Sequence, residues 1–381
     1  MASENQDYNA DDEIAAFFTK TAVCRDACDA LAAALVGGSL VVPVAVQGVC
    51  SYTVYAGPGL AYVVQFRLKS LGGRKLEETA VLARQIYGAW APDVSFRQQL
   101  GDDVAVAASA TAAAAATTKP KEPLLVYVMT RIQGISRLDF ILKHGFPEHA
   151  PENKARRKTL MRDVARFFAL AWKAPQKVSE TDRARMATTF EDDLRALLAA
   201  LPDRLRPVVR ATLASLPRIL ALPMALVHKD LGDGNILVEE PSCRLAGVID
   251  WAEAEIAPFG TNLHSLQDLM SKLHMTRGWT RYEDYDELQR LFWATFHEEV
   301  GGLDEDTTQA IKAARVLGLL RSWGFTSRLA NMPAPVPIKD DGSDSYKMMI
   351  LDGLLVNPMT RFDGLDVWLE EYRDEARGKL E

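Results

Sequence analysis

The chain has 381 residues, 48% of them hydrophobic and 25% charged, with a formal net charge of −7. That length suffices for two ordinary domains or for two lobes around one cleft, and the composition is that of a folded globular chain, which sets disorder aside. The acidic balance argues against a nucleic-acid partner, because such binders carry a basic face. Cys24, Cys28, Cys50 and Cys243 form neither a CxxC pair nor a zinc-type Cys/His cluster, so they read as free thiols of a reducing compartment. The polar, acidic start MASENQDYNADDE has no basic region followed by an apolar run, so no secretory signal is expected and a cytoplasmic location is.

In chain order, Ala-rich spacing over 11–36 predicts a helix that stops at Gly37-Gly38. From Ala30 to Phe66 no residue is charged, which is long enough for a membrane span, but Gly37-Gly38, Pro43, Gly48 and Gly57-Pro58-Gly59 interrupt it. Short β-branched runs between the breaks predict strands over 40–46, 49–56 and 61–68 instead, with Gln47-Gly48 and Gly57-Pro58-Gly59 as turns, and no membrane partner. An amphipathic helix over 75–88 follows, then strands over 94–97 and 103–108. The Ala-rich stretch 105–117 reads as low-complexity loop. A strongly apolar strand over 124–129 leads into Thr130-Arg131-Ile132-Gln133-Gly134. These segments predict an antiparallel α+β lobe. Beyond residue 135 helical periodicity takes over, most clearly at 160–172 and 190–198. A buried strand over 225–227 and a hairpin of 236–239 with 245–249 around Glu240-Pro241-Ser242 break it, and from about 262 onward helices are expected again.

The chemistry concentrates between those short strands. Ala-Leu-Val-His228-Lys229-Asp230-Leu-Gly-Asp233-Gly-Asn235-Ile-Leu-Val carries H-x-D-x-x-x-x-N, and Leu245-Ala-Gly-Val-Ile249-Asp250-Trp251 is an apolar strand ending in Asp. This is the layout of a kinase catalytic loop followed by a metal-binding Asp. Phosphoryl transfer needs charge neutralised on the phosphates and a nucleophile oriented in line, and little covalent help. Mg²⁺ prefers hard oxygen donors, which the Asp250 carboxylate and the Asn235 amide supply. Asp230 is then the catalytic residue that orients the acceptor hydroxyl and takes its proton late, since an ordinary Asp, with a pKa of about 3.9, is a weak base. His228 is expected to brace the loop.

The segments HKDLGDGNIL and VIDWAEAEIAPFG resemble the aminoglycoside phosphotransferase-like family, relatives of choline kinase and distant relatives of protein kinases. QGVCSYTVYAG, VVQFR, ARQIYG and LLVYVMTRIQG look like a branch common in filamentous fungi, and the resemblance covers roughly residues 40–270 in order. It implies a bilobal protein-kinase-like α+β fold: an N-terminal helical extension at 1–36, an antiparallel-sheet N-lobe at 37–132 and a mainly helical C-lobe at 133–381. It also implies ATP and Mg²⁺ as cofactors and a small hydroxylated molecule as acceptor.

The resemblance assigns Asp230 to catalysis and Asn235 and Asp250 to the metal. The family's phosphate-binding lysine falls at Arg67 or Lys69, which strand spacing would place on one face. Its acidic partner falls at Glu78 or, next, Glu77. The loop 47–53 has a single Gly48 and leaves Ser51 and backbone N–H groups as phosphate contacts. Adenine would be read along Met129–Ile132, so Met129 and Arg131 join the cofactor site. Glu253, Glu255 and Asp268 are expected at the acceptor, with His264, Asp192 and Asp193 as further candidates, and carboxylates there suit an amine-bearing metabolite or an aminoglycoside-like compound. Two other functions remain open: a non-catalytic kinase-like scaffold, motivated by Arg67 in the lysine position and the glycine-poor loop, and a protein-directed phosphotransferase. The choice between ATP and GTP is not readable.

Overall fold

The structure is a computed structural model that describes residues 8–71, 74–101, 121–326 and 333–369. The expected strand over 103–108 and the Ala-rich loop lie outside the described residues. The chain folds as two units, one of Met1–Gln85 and Ala91–Ile132, the other of Ile86–Trp90 and Gln133–Glu381.

The first unit opens with α1 (Ala10–Phe18) and α2 (Arg25–Val36), followed by β1 (Val41–Pro43), β2 (Ser51–Ala56), β3 (Tyr62–Leu68), α3 (Arg74–Tyr87), β4 (Val94–Leu100) and β5 (Leu124–Thr130). The strands form one antiparallel sheet in the order β1-β2-β3-β5-β4. The single helix expected over 11–36 is two. Asn9 caps α1 by accepting from the Asp11 N–H, and Thr19 Oγ1 donates to the Ala16 carbonyl at the other end. Between the helices Thr21 Oγ1 donates to the Glu122 carbonyl at 2.6 Å, tying the break to the segment before β5. Ile14, Phe17, Cys28 and Ala32 pack into the same core as Tyr52, Val54, Val64, Phe66 and Val126. The N-terminal helices therefore complete the sheet's apolar side, and within the uncharged run 30–66 this core buries Ala32, Tyr52, Val54, Ala56, Val64 and Phe66. No helix among the described residues is long and apolar enough to cross a membrane.

The second unit contains β6 (Ile135–Ser136), α4 (Arg137–His144), α5 (Pro151–Lys173), α6 (Glu180–Ala200), α7 (Arg206–Ala221), β7 (Met224–Val227), β8 (Ile236–Val238), β9 (Leu245–Val248) and β10 (Glu255–Pro258). It continues with α8 (Leu266–Met270), β11 (Ser271–His274), β12 (Gly278–Arg281), α9 (Tyr285–Val300), α10 (Glu305–Trp323) and α11 (Ser345–Leu351). The hairpin β11–β12 lies where helix was expected. Its short strands leave too few positions for a period-2 signal to stand out in sequence. The core is aromatic: Phe167 and Phe168 of α5 are buried among Tyr87, Trp251, Phe259 and Phe292. Along the polar edge of α5, Lys154, Lys158 and Lys173 pair with Glu283, Glu287 and Glu299 on or beside α9.

Two small sheets position the chemistry. β7 pairs with β10, and β6, β8 and β9 form a three-stranded sheet, so the loop between β7 and β8 is anchored at both ends. Gly318 lets α10 press its backbone onto the turn before α8. A Cβ at that position would collide with the Thr261 carbonyl oxygen. Relieving that collision requires backbone movement rather than a change of rotamer. Gly318→Ala is therefore expected to destabilise the protein by about 3 kcal/mol or more, the upper range for overpacking, read as a lowered midpoint in urea denaturation. An unchanged midpoint would refute the close approach.

Candidate functional site

The β7–β8 loop turns tightly through Asp230–Asn235. The N–H groups of Asn235 and Ile236 both donate to the Gly232 carbonyl, at 3.0 and 3.1 Å. That turn brings Asn235 Nδ2 onto both the Asp230 carbonyl (2.8 Å) and the Asp230 carboxylate (3.0 Å). Both donors of the amide go to Asp230, and its oxygen Oδ1 is what remains to offer to a ligand. The Asn235 carbonyl in turn accepts from the Ile249 N–H at 3.0 Å, which fixes the residue before Asp250.

His228 supplies the second tie. It is 1% exposed, and its Nε2 lies 2.8 Å from the Ile249 carbonyl. Burial lowers its pKa, outweighing the raising effects of that hydrogen bond and of Asp250 and Asp230, so the ring is neutral at neutral pH. A neutral ring that donates from Nε2 leaves Nδ1 without a proton. The ring also stands edge-on to Trp251 at 4.9 Å. The structure thus places His228 between the loop and the residue before Asp250. Asp250 itself is exposed and sits in the left-handed region at φ 63°, ψ 62°, one of three non-glycine residues with positive φ among those described. Such a conformation costs of order 1 kcal/mol and persists where surrounding contacts impose it.

The other tie on the loop was not expected from the sequence. Arg137, at the start of α4 and buried, ion-pairs with the Asp233 carboxylate, while the Leu138 N–H donates to the Asp233 carbonyl at 3.1 Å. Asp268, expected at the acceptor, lies in the electrostatic neighbourhood of this pair and does not line the pocket beside Asp230. Its carboxyl is pushed up from an ordinary 3.8 to about 7, first by burial and then by the Asp233 charge, with Arg137 opposing.

A pocket of about 290 Å³ opens beside Asp230. Glu253 and Glu255 line it, as expected, and so does His264. Arg321 and Ser322 of α10 and Lys347 of α11 line it as well, and no motif marked them. Asp193 reaches the same place indirectly, through an ion pair with Arg321 at 2.9 Å. Glu255 lies across from Val227 in the β7–β10 ladder, which sets its carboxylate 3.4 Å from Lys229 Nζ. Among the described residues no cationic side chain forms an ion pair with Asp230 or Asp250, and no set of three or more His, Cys, Asp and Glu side chains could hold a metal. An Asp250 carboxylate with an Asn235 amide oxygen nevertheless fits Mg²⁺, which takes few protein ligands and completes its shell with water and phosphate oxygens.

In the first unit, Ser51 and Arg67 face each other across β2 and β3. Both are buried; Arg67 Nε donates to the Leu71 carbonyl at 2.6 Å. Lys69 does not share the strand face with Arg67. β3 ends at Leu68, the Lys69 N–H bonds the Pro123 carbonyl, and the chain turns into a short 3-10 segment with Lys69 exposed. Glu78 is exposed, and no ion pair joins it to Arg67 among the described residues; Glu77 instead accepts from the Phe96 N–H. Met129 lies in the β5 ladder opposite Val63 and Val94. Arg131 donates to the Leu60 carbonyl and lies 3.8 Å above the Tyr55 ring. The glycine-poor loop before β2 is held by Gln47, whose side chain donates to the carbonyls of Val44 and Thr53 and accepts from the Thr53 N–H. A buried glutamine thus does the bracing, a role its side-chain chemistry permits but its sequence position did not suggest.

The sequence profile of the phosphotransferase enzyme family matches residues 88–276. No curated protein matches the chain. Among solved structures, a candidate aminoglycoside phosphotransferase from Ralstonia eutropha is similar at 13% identity, covering 79% of this chain and 88% of its own, with a TM-score of 0.50. At that identity the likeness is one of fold. A macrolide 2'-phosphotransferase from Brachybacterium faecium (15% identity, 78% and 90% coverage, TM-score 0.46) and a Plasmodium vivax ethanolamine kinase (10%, 85% and 88%, 0.44) are also similar.

The raised Asp268 carboxyl carries a pH signature. The folded chain holds that proton more tightly than the unfolded one, so the contribution to stability is full below about 3.8 and is lost as pH rises through about 7. Asp268→Asn, which mimics the protonated form, is expected to leave the denaturation midpoint near unchanged at low pH and to raise it at alkaline pH. An equal loss at both would contradict the assignment.

Proposed function

From the match of residues 88–276 to the profile of the phosphotransferase enzyme family, we propose that the chain is an ATP- and Mg²⁺-dependent O-phosphotransferase that moves the γ-phosphate of ATP to a hydroxyl of a small molecule. The observation that carries this reading is the joint placement of Asp230: its carboxylate is held by Asn235 and lines a polar pocket. An acceptor hydroxyl in that pocket would donate to Asp230. The amide of Asn235 keeps the carboxylate oriented, which favours a reactive alignment of the hydroxyl. Proton transfer to Asp230 comes late, as the bond to phosphorus forms, consistent with the modest basicity of a carboxylate. The residues that would hold Mg²⁺ are Asp250 and Asn235; when bound, the ion neutralises charge developing on the phosphates. Ser51 and Arg67, neighbours across β2 and β3, are the residues we assign to the nucleotide phosphates.

The pocket volume of about 290 Å³ stands at the lower end of the range for ligand sites, which favours a small metabolite over a multi-ring antibiotic. The competing reading, a non-catalytic kinase-like binder, draws on Arg67, whose guanidinium is engaged with the Leu71 carbonyl.

Two measurements separate them. Mg·ATP is expected to raise the melting temperature of the wild-type protein, with Asp250→Asn diminishing the shift; a protein indifferent to Mg·ATP would remove the phosphotransferase reading. With an accepted substrate, Asp230→Asn is expected to lower kcat by about 10²–10⁴-fold, the span typical of a positioned acid–base group, while the Mg·ATP thermal shift persists. Turnover that survives this substitution would place the acceptor site elsewhere.

A further inference from the structure

The lining of the pocket beside Asp230 sets three cations against the carboxylates of Asp230, Glu253 and Glu255. Lys229, Arg321 and Lys347 all line it. Two of the three are already matched. Lys229 Nζ lies 3.4 Å from Glu255, and Arg321 lies 2.9 Å from Asp193 and 3.9 Å from Glu255. Arg321 is further fixed by stacking over Phe190 at 4.3 Å. Glu255, expected from the sequence to receive an ammonium, is thus engaged with two of the protein's own cations.

Lys347 is placed differently. Its ammonium donates to the Phe325 carbonyl at 2.7 Å, a neutral partner. An ammonium has three donors, so among the described residues two of them and the net charge remain for a ligand. Ser322 and Thr326, also in the lining, add hydroxyl groups to the same part of the wall. A further cation, stacked over Phe362 at 3.9 Å and in the field of Asp363, acts on the pocket through His264. Arg315 of α10 precedes Gly318 by one helical turn, is buried, has no partner at Nε among the described residues, and its charge acts on His264. His264 is held neutral, its pKa pushed down to about 4 first by burial and further by Arg315. A substrate whose only charge is an ammonium would bring a cation toward Lys347 in a partly desolvated pocket, where like charges repel strongly.

We propose that Lys347 seats an anionic group of the acceptor, so that the substrate is a small hydroxylated oxyanion, a carboxylate or a phosphate ester, with its hydroxyl on Asp230. This rests on the phosphotransferase reading of the Asp230 centre. Glu253, exposed at the pocket edge, permits an ammonium on the same molecule, which keeps hydroxylated zwitterions within the class.

The test uses the full chain with saturating Mg·ATP and measures ADP release over a panel sorted by charge. Gluconate, glycerol phosphate and glucose phosphate are the anions, serine and threonine the zwitterions, ethanolamine, choline and glucosamine the cations, glycerol and glucose the neutral members. Turnover is expected from anions or zwitterions. For the best of them, Lys347→Met is expected to raise KM about tenfold or more, the loss of one charge-assisted hydrogen bond, with kcat and the KM for ATP changed by no more than about threefold. Lys347→Arg should restore most of the affinity. Turnover confined to cations or neutral compounds, absence of turnover with every anion and zwitterion, or an unchanged KM in Lys347→Met overturns the inference. If the wild-type thermal shift with Mg·ATP persists under any of those results, the acceptor assignment alone fails; if the shift is absent, the phosphotransferase reading fails and the inference with it.

Discussion

The site depends on a pair of hydrogen bonds to one residue, Ile249. His228 donates to its carbonyl, and its N–H donates to the Asn235 carbonyl. Through them the loop carrying Asp230 and the strand end carrying Asp250 become one rigid piece, although a whole hairpin of chain separates the two carboxylates. Because His228 is buried and neutral, this joint does not switch with pH near neutrality.

The joint is supported from the core outward. Tyr87 stacks on Phe167 at 4.1 Å, lies 4.9 Å from Trp251 and donates its hydroxyl to the Leu226 carbonyl in β7. Trp251 then meets the His228 ring. An aromatic column thus runs from α5 to the loop, and burial of those rings supplies most of the energy that holds it. Arg137 and Asp233 secure the outer side of the loop. The loop thereby rests on packed elements, while Asp230 and Asp250, the groups we propose to meet acceptor and metal, stay exposed.

Much of this was legible because it is local. The strand–loop–strand layout around Asp230, the hairpin leading to Asp250 and the sheet of the first unit follow from short-range alternation and turn residues, and they appear where expected to within a few residues. The expected strand face for Lys69 did not form, because β3 ends at Leu68 and the chain enters a 3-10 turn at Lys69. The helix over 11–36 failed because its break is stabilised by a bond from Thr21 to the Glu122 carbonyl, far along the chain. Glu255 appeared in the pocket as expected, but its pairing did not: Arg321, its second partner, comes from a distant helix.

By itself the sequence determined the local frame of the centre we propose: Asn235 held on the Asp230 carboxylate, and the strand end before Asp250 bonded to Asn235. Asp230, Asn235 and Asp250 lie close together in the chain, and spacing that short between paired strands dictates their proximity. Tertiary structure alone decided the lining of the pocket beside Asp230. Lys347, Arg321, Ser322 and Asp193 converge on the pocket from three helices between residues 180 and 351, and helix packing, unlike a turn, leaves no fixed spacing in the chain from which such convergence can be read.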